Sequence, residues 1–351
     1  STAQINSGIF QLGGASSTST GSFAIAAGAR LNVSHTHNFA NTSSINGEGD
    51  VSFEGQTASS VNGAYTVTGV TYMSGNSGGY SFNSDVTIPN LVITGNGIMG
   101  NGTVTISKTF TWTGGGMIGA GKTVIAEDVV LNQSNVVCLS RRLDNYGTIN
   151  FTAANFSCGG TPFVINNHGT FDIKSDTFIS TGLFNNYGLL LKSEGAGGFQ
   201  LNVPLINEGT VESRSGLFLT RQAFVQTAGR IFLNGGEVGS TGTIEIKGGE
   251  LIGNGEVRAN IINSGLVSPG NSTGLAGSLR IAGNYTQTSK GTLKIELGGA
   301  VGGTDFDLLV TGTNGITNSI SMDGNLSVSL INNFQPAADD SFQIVPYNTL
   351  G

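Results

Sequence analysis

Charge is what this chain has least of. Only 11% of its 351 residues are Asp, Glu, Lys or Arg, against about 25% in an ordinary soluble domain. The 15 basic residues are scattered and outnumbered by 22 acidic ones, giving a net charge of −7. Nucleic-acid binding, which needs a basic patch, is therefore not expected. The one adjacent basic pair, Arg141-Arg142, reads as a solvated pair at a turn. Two cysteines are too few for a disulfide-built scaffold. Six prolines and no Gly-x-y triplet exclude collagen, although there are 56 glycines. No stretch approaches the roughly 18 continuous apolar residues of a membrane-crossing helix. Apolar residues at the i, i+3, i+4, i+7 spacing of a helix are likewise missing from any long segment. The first residues carry no charged-then-apolar leader, so a secreted protein is expected to have lost its signal before Ser1.

Asn, Ser and Thr take the place of the charges. Hydrophobic residues make up 38% of the chain, mainly Val, Ile, Leu and Phe, which favour strands. The combination of low hydrophobicity and high net charge that marks disorder does not occur, so a folded chain is expected.

Two short patterns recur. Asn-x-Gly followed by an alternating apolar run appears at Asn145-Tyr146-Gly147, Asn167-His168-Gly169, Asn186-Tyr187-Gly188, Asn207-Glu208-Gly209 and Asn263-Ser264-Gly265; the first four copies stand 22, 19 and 21 residues apart. A second pattern, Gly-x-Gly between apolar residues, appears at Gly47-Glu48-Gly49, Gly100-Asn101-Gly102 and Gly253-Asn254-Gly255. No helix follows these glycines, so they read as corners rather than dinucleotide loops. Runs such as Thr103-Val104-Thr105-Ile106 and Thr243-Ile244-Glu245-Ile246 alternate with the period of a half-buried strand. Each run is closed by Gly or Asn, which tolerate the positive φ of sharp corners. A unit of about 20 residues with such short strands cannot bury its own apolar row; stacking the units can. The expected fold is all-β: a single-stranded parallel β-helix (β-solenoid) with coils of about 20 residues, running as one continuous domain over residues 1–351, with less regular coils over 1–90.

Cys138 and Cys158 lie one repeat apart. Equivalent residues of adjacent coils sit about 4.8 Å apart, within the range a disulfide accepts. A stacked disulfide is predicted, with two reduced, buried thiols as the alternative.

The C-terminal part carries a resemblance. Gly265-Leu266-Val267-Ser268-Pro269-Gly270-Asn271-Ser272, Leu279-Arg280-Ile281-Ala282-Gly283-Asn284-Tyr285, Gly291-Thr292-Leu293-Lys294-Ile295-Glu296-Leu297 and Thr304-Asp305-Phe306-Asp307-Leu308-Leu309-Val310 resemble the last coils of autotransporter passengers and related bacterial β-strand-repeat surface proteins. The likeness covers a module at 240–351 and is compositional upstream of it. It implies secretion, a bacterial surface or matrix setting, and adhesion. The chain stops at Tyr347-Asn348-Thr349-Leu350-Gly351 without a recognisable outer-membrane barrel, which reads as the boundary of a longer protein.

Parallel β-helices also serve as polysaccharide-degrading enzymes, whose sites need several carboxylates converging on one face. Carboxylates at glycosidase separation are not evident among the dispersed acids; Glu245, Glu250 and Glu256 read as solvated strand or turn residues. Asp305 and Asp307, one residue apart, are expected on one side of a strand, either in a structural role or as a calcium site. His35 and His37 are expected on one strand face, but His168 is the only other histidine and a zinc site needs more ligands. Tyr65, Tyr72, Tyr80, Phe82 and Trp112 could present rings to a sugar or fill the core. No catalytic residue, cofactor or metal is expected. The leading expectation is a non-enzymatic, secreted structural or adhesive solenoid at the cell surface or in the extracellular matrix. Its partners would be a host surface, a matrix polysaccharide or copies of itself. The alternative is a carbohydrate-binding or polysaccharide-degrading β-helix.

Overall fold

The computed structural model describes all residues except 56–58, 76–77, 153–155, 157–161, 272–273, 313–317 and 347–351. Among the described residues every regular element is a β-strand, and the strand pairings within the named ladders are parallel. The chain is a β-solenoid, as the repeat predicts. It divides into two compact units, Ser1–Phe171 with Ser180–Leu183, and Asp172–Ile179 with Phe184–Gly351.

Three ladders run through the first unit, one strand per coil in each. Thr2–Ile5, Ser22–Ile25, Ser44–Gly47 and Ala64–Val67 pair in register in the first. Ile9–Leu12, Arg30–Val33, Asp50–Phe53 and Val70–Met73 form the second, and Ser17–Ser19, His37–Phe39, Ser59–Val61 and Gly79–Phe82 the third. Residues that face each other stand one repeat apart: Ser22 pairs Thr2 below it and Ser44 above it.

The two-residue alternation decides what goes inside. In Arg30–Val33, Leu31 and Val33 are buried while Arg30 and Asn32 are half-exposed. Because register is kept, inward residues stack into columns. Phe10, Leu31, Val51, Thr71, Leu91, Phe110 and Leu131 form one, and Val211, Ile231, Leu251, Val267 and Leu293 another. Each fully buried aliphatic side chain contributes about 1.5–3 kcal/mol by leaving water. The polar Thr71 is tolerated in its column because its hydroxyl meets the Tyr65 hydroxyl at 2.6 Å.

Glycine corners let a single strand serve more than one ladder. The strand Glu250–Asn263 pairs with three different strands of the following coil, through Glu250–Ile252, Gly255–Val257 and Ile261–Asn263. Gly253 turns it with φ of 120°, and a Cβ there would lie 2.2 Å from the Leu233 carbonyl oxygen. Any side chain would collide with the coil below.

The Asn-x-Gly motif has a specific internal role. Its Asn faces the interior, fully buried at positions 145, 167, 186, 207 and 263. In the first unit the Asn145 Nδ2 donates to Asn167 Oδ1 at 2.8 Å. In the second, Asn186 Nδ2 donates to Asn207 Oδ1 at 2.7 Å, and Asn207 Nδ2 to Gln226 Oε1 at 3.1 Å. The same amides donate to main-chain carbonyls at the corner: Asn186 to Gly188 and Thr210, Asn207 to Gly209 and Arg230. A short amide at each corner therefore replaces main-chain partners that the turning backbone cannot supply for itself.

Two cations are buried by similar means. Arg141 is not the solvated turn residue expected. It lies inside the strand Cys138–Asn145, 2% exposed, and its Nη2 donates to the carbonyls of Gly102 and Lys122, both at 2.8 Å. Lys192 is fully buried in the second unit, with its Nζ 3.0 Å from Asp176 Oδ1 and on the carbonyls of Glu194 and Gly195.

Candidate functional site

The residues singled out for chemistry do not converge. Tyr65, Tyr80, Phe82 and Trp112 are buried and pack in the core; Phe53 and Tyr80 lie 4.2 Å apart between ring centroids, and Phe110 stacks on Trp112. Of that set only Tyr72 is partly exposed, and the Arg30 guanidinium covers its ring at 4.6 Å. His35 and His37 do not share a face. His35 is exposed at a corner, while His37 is buried between Ser17 Oγ and Ser19 Oγ, at 2.8 and 2.9 Å from its two ring nitrogens. Burial lowers the His37 pKa. Glu245, Glu250 and Glu256 are partly solvated; Glu245 pairs with Lys247 and Glu256 with Arg258. Among the described residues no group of three or more His, Cys, Asp or Glu is placed to hold a metal. Cys138 opens its strand opposite Gly116, and Cys158 lies outside the described residues.

Asp305 and Asp307 also part company, because Asp305 sits in a turn rather than a strand. Its carboxylate accepts the main-chain N–H of Val301 at 3.0 Å. Asp307 is fully buried and clamps two separate segments, accepting N–H bonds from Gly277 at 2.8 Å and Glu296 at 2.9 Å. Burial, aided by the Glu296 charge and opposed by those two donors, pushes its pKa up to about 6. Glu296, itself buried, accepts from Lys294 Nζ at 2.8 Å and from the Gly274 N–H at 2.7 Å. These carboxylates tie Gly274, Gly277 and the turn at 301–307 to the strand Thr292–Leu297. Their partners are main-chain amides and one lysine, an arrangement suited to holding loops.

The strand Asn325–Leu330 lies on Thr292–Leu297 in register over six residues. In the column Val211, Ile231, Leu251, Val267, Leu293 every side chain is out of water, yet Leu326, next in the column, is 54% exposed. Val328 and Leu330, beside the buried Ile295 and Leu297, are 50% and 53% exposed. Three inward-facing apolar residues thus form a rung with nothing stacked on it among the described residues. The strand Ile9–Leu12 is the counterpart at the first coil. Phe10 stands in the column of Leu31 and is 43% exposed, with Ile9 67% exposed beside it. The register shows that the inward rows of both strands are uncovered among the described residues.

No family model matches the chain, and neither curated proteins nor solved structures include one similar to it.

Proposed function

We propose that this protein is a non-catalytic, extracellular structural or adhesive solenoid that extends by head-to-tail stacking of copies. The observation that carries the reading is the uncovered rung Leu326, Val328 and Leu330. A free parallel strand presents unpaired N–H and C=O groups as well as apolar side chains, and a further coil satisfies both. A second copy supplies a matching coil. Its Ile9–Leu12 strand has one edge paired with Arg30–Val33 and brings Phe10 and Leu12 in the same alternation. The contact is heterologous, using different surfaces on the two copies, and so propagates from copy to copy instead of closing as a two-fold dimer. A bacterial surface or matrix setting accords with the resemblance of residues 240–351 to autotransporter passengers and with the sparse charge.

The test is sedimentation velocity across a concentration series, comparing the protein with a Leu326→Lys/Val328→Lys variant. These side chains are already half in water, so folding should survive. The wild type should shift to larger species with concentration while the variant stays monomeric. Equal behaviour of the two would refute stacking through this rung.

A further inference from the structure

The buried Arg141 identifies a second kind of site. A guanidinium taken out of water is costly unless an anion or a full set of acceptors compensates it. Arg141 has carbonyls on Nη2 but no salt bridge among the described residues, and its Nε has no hydrogen-bond partner. The adjacent Ser140 Oγ is buried and likewise without a partner. Burial lowers the Arg141 pKa to about 10, which leaves it a cation at neutral pH. Beside it Lys122 and Arg142 converge on a single buried carboxylate, Asp144, at 3.6 and 2.7 Å. The Asp144 side chain is desolvated, but hydrogen bonds from Arg142 and Asn166, with the nearby positive charges, hold its pKa below the ordinary carboxylate value. Asp85 is a further carboxylate near Lys122. Three cations against these two carboxylates give a local excess of positive charge on a chain whose net charge is −7.

This cluster borders an open cavity of about 430 Å³, lined by Ser140, Arg141, Arg142, Ile118, Ala120 and Val164 among others. Arg142, with 52% of its side chain exposed, reaches the opening, while Arg141 lies beneath as an unneutralised charge. The space is large for a bare inorganic ion. Its apolar walls, Ile118, Ala120, Pro162 and Val164 with the edge of the buried Phe163, suit the C–H face of a ring, and among the described residues no exposed aromatic side chain lines it to stack a nucleobase. We infer that this cavity binds an acidic saccharide, with the Arg142 guanidinium contacting a carboxylate or sulfate oxyanion and Arg141 supplying the field that favours it.

Isothermal titration of the 351-residue chain tests this with four probes: a trigalacturonate, a sulfated heparin-derived tetrasaccharide, a neutral cello-oligosaccharide and adenosine monophosphate. Binding of either acidic saccharide below about 1 mM, weakening as salt is added, is expected; which one binds separates uronate from sulfate ester. The neutral sugar and the nucleotide should not bind. Ala120→Glu, at an exposed position of the wall, places a competing carboxylate beside Arg141 without disturbing the core. It should weaken binding by roughly tenfold or more while leaving thermal unfolding unchanged or raised, and Arg142→Gln should weaken it similarly. No acidic saccharide binding at millimolar concentration, binding unaffected by Ala120→Glu, or equal binding of the neutral sugar would each overturn the assignment.

Discussion

Replacing Asn207 by Ala removes one rung of the internal amide ladder, and its cost follows from the contacts. The Asn207 side chain accepts from Asn186 Nδ2 at 2.7 Å and donates to Gln226 Oε1, to the Gly209 carbonyl at 3.2 Å and to the Arg230 carbonyl at 3.3 Å. The site is fully buried, so water cannot replace what is lost. Asn186 Nδ2 keeps its bonds to Gly188 and Thr210, which softens the loss on that side. The buried Gln226 oxygen loses its side-chain donor in a dry environment, at about 1–3 kcal/mol for a group left unsatisfied, while the Gly209 carbonyl keeps the Arg230 N–H at 2.8 Å and loses only its second donor. A total of about 2–4 kcal/mol is expected, allowing for some relaxation at the corner. The control is Asn150→Ala. Its side chain donates to Asn132 Oδ1 at 2.7 Å, as short a bond as any in the ladder, but on the exposed surface. That change should cost less than about 0.5 kcal/mol, because water takes over. Urea unfolding followed by circular dichroism reports both as shifts in midpoint. Similar costs for the two substitutions would refute the claim that the motif acts through buried amides.

Three further outcomes follow from the geometry. Asp307 has its folded-state pKa raised to about 6 from an ordinary value of 3.8, so the stability it contributes is fullest below pH 4 and is lost as pH rises through about 6. The unfolding free energy of the wild type minus that of Asp307→Asn should therefore fall by about 2–3 kcal/mol from pH 4 to 7; a difference that is flat or rises with pH would contradict the burial argument. Gly253→Ala should cost about 2–4 kcal/mol because its Cβ strikes the Leu233 carbonyl at positive φ, whereas Gly274→Ala, at φ of 87° with open space around it, should cost only about 1 kcal/mol in thermal melts. The Cys138–Cys158 disulfide predicted from the repeat should leave the native chain unreactive to iodoacetamide, and its reduction should lower stability by about 3 kcal/mol; free thiols in the untreated protein would rule the bridge out.

The fold was legible because the repeat is written twice, once in the alternation that faces Leu31 and Val33 inward and once in the corners that break each strand. Side-chain placement was less legible wherever polarity and position disagree. Asn145 and Asn207 look like surface corner residues, yet they are the amides that complete a buried corner. Arg141 follows the inward parity of its strand, which composition alone does not reveal, since an arginine beside another arginine ordinarily reads as solvated. Asp305 and Asp307 have the spacing of one strand face, but the chain turns between Val301 and Asp307 and the parity rule lapses there. His35 and His37 fail in the same way, one lying in a corner and the other in a strand. Tyr65, Tyr80 and Trp112 carry polar atoms, but their large rings fill the column space that short strands leave. The uncovered rung at 325–330 was invisible in the sequence, because Leu-Ser-Val-Ser-Leu reads the same whether or not another coil lies above it.

The most direct test of the central claim is negative-stain electron microscopy of the purified chain over a range of concentrations. End-to-end strings that lengthen with concentration, and that are lost in the Leu326→Lys/Val328→Lys variant, are the predicted result. Isolated particles of one length at every concentration would contradict it.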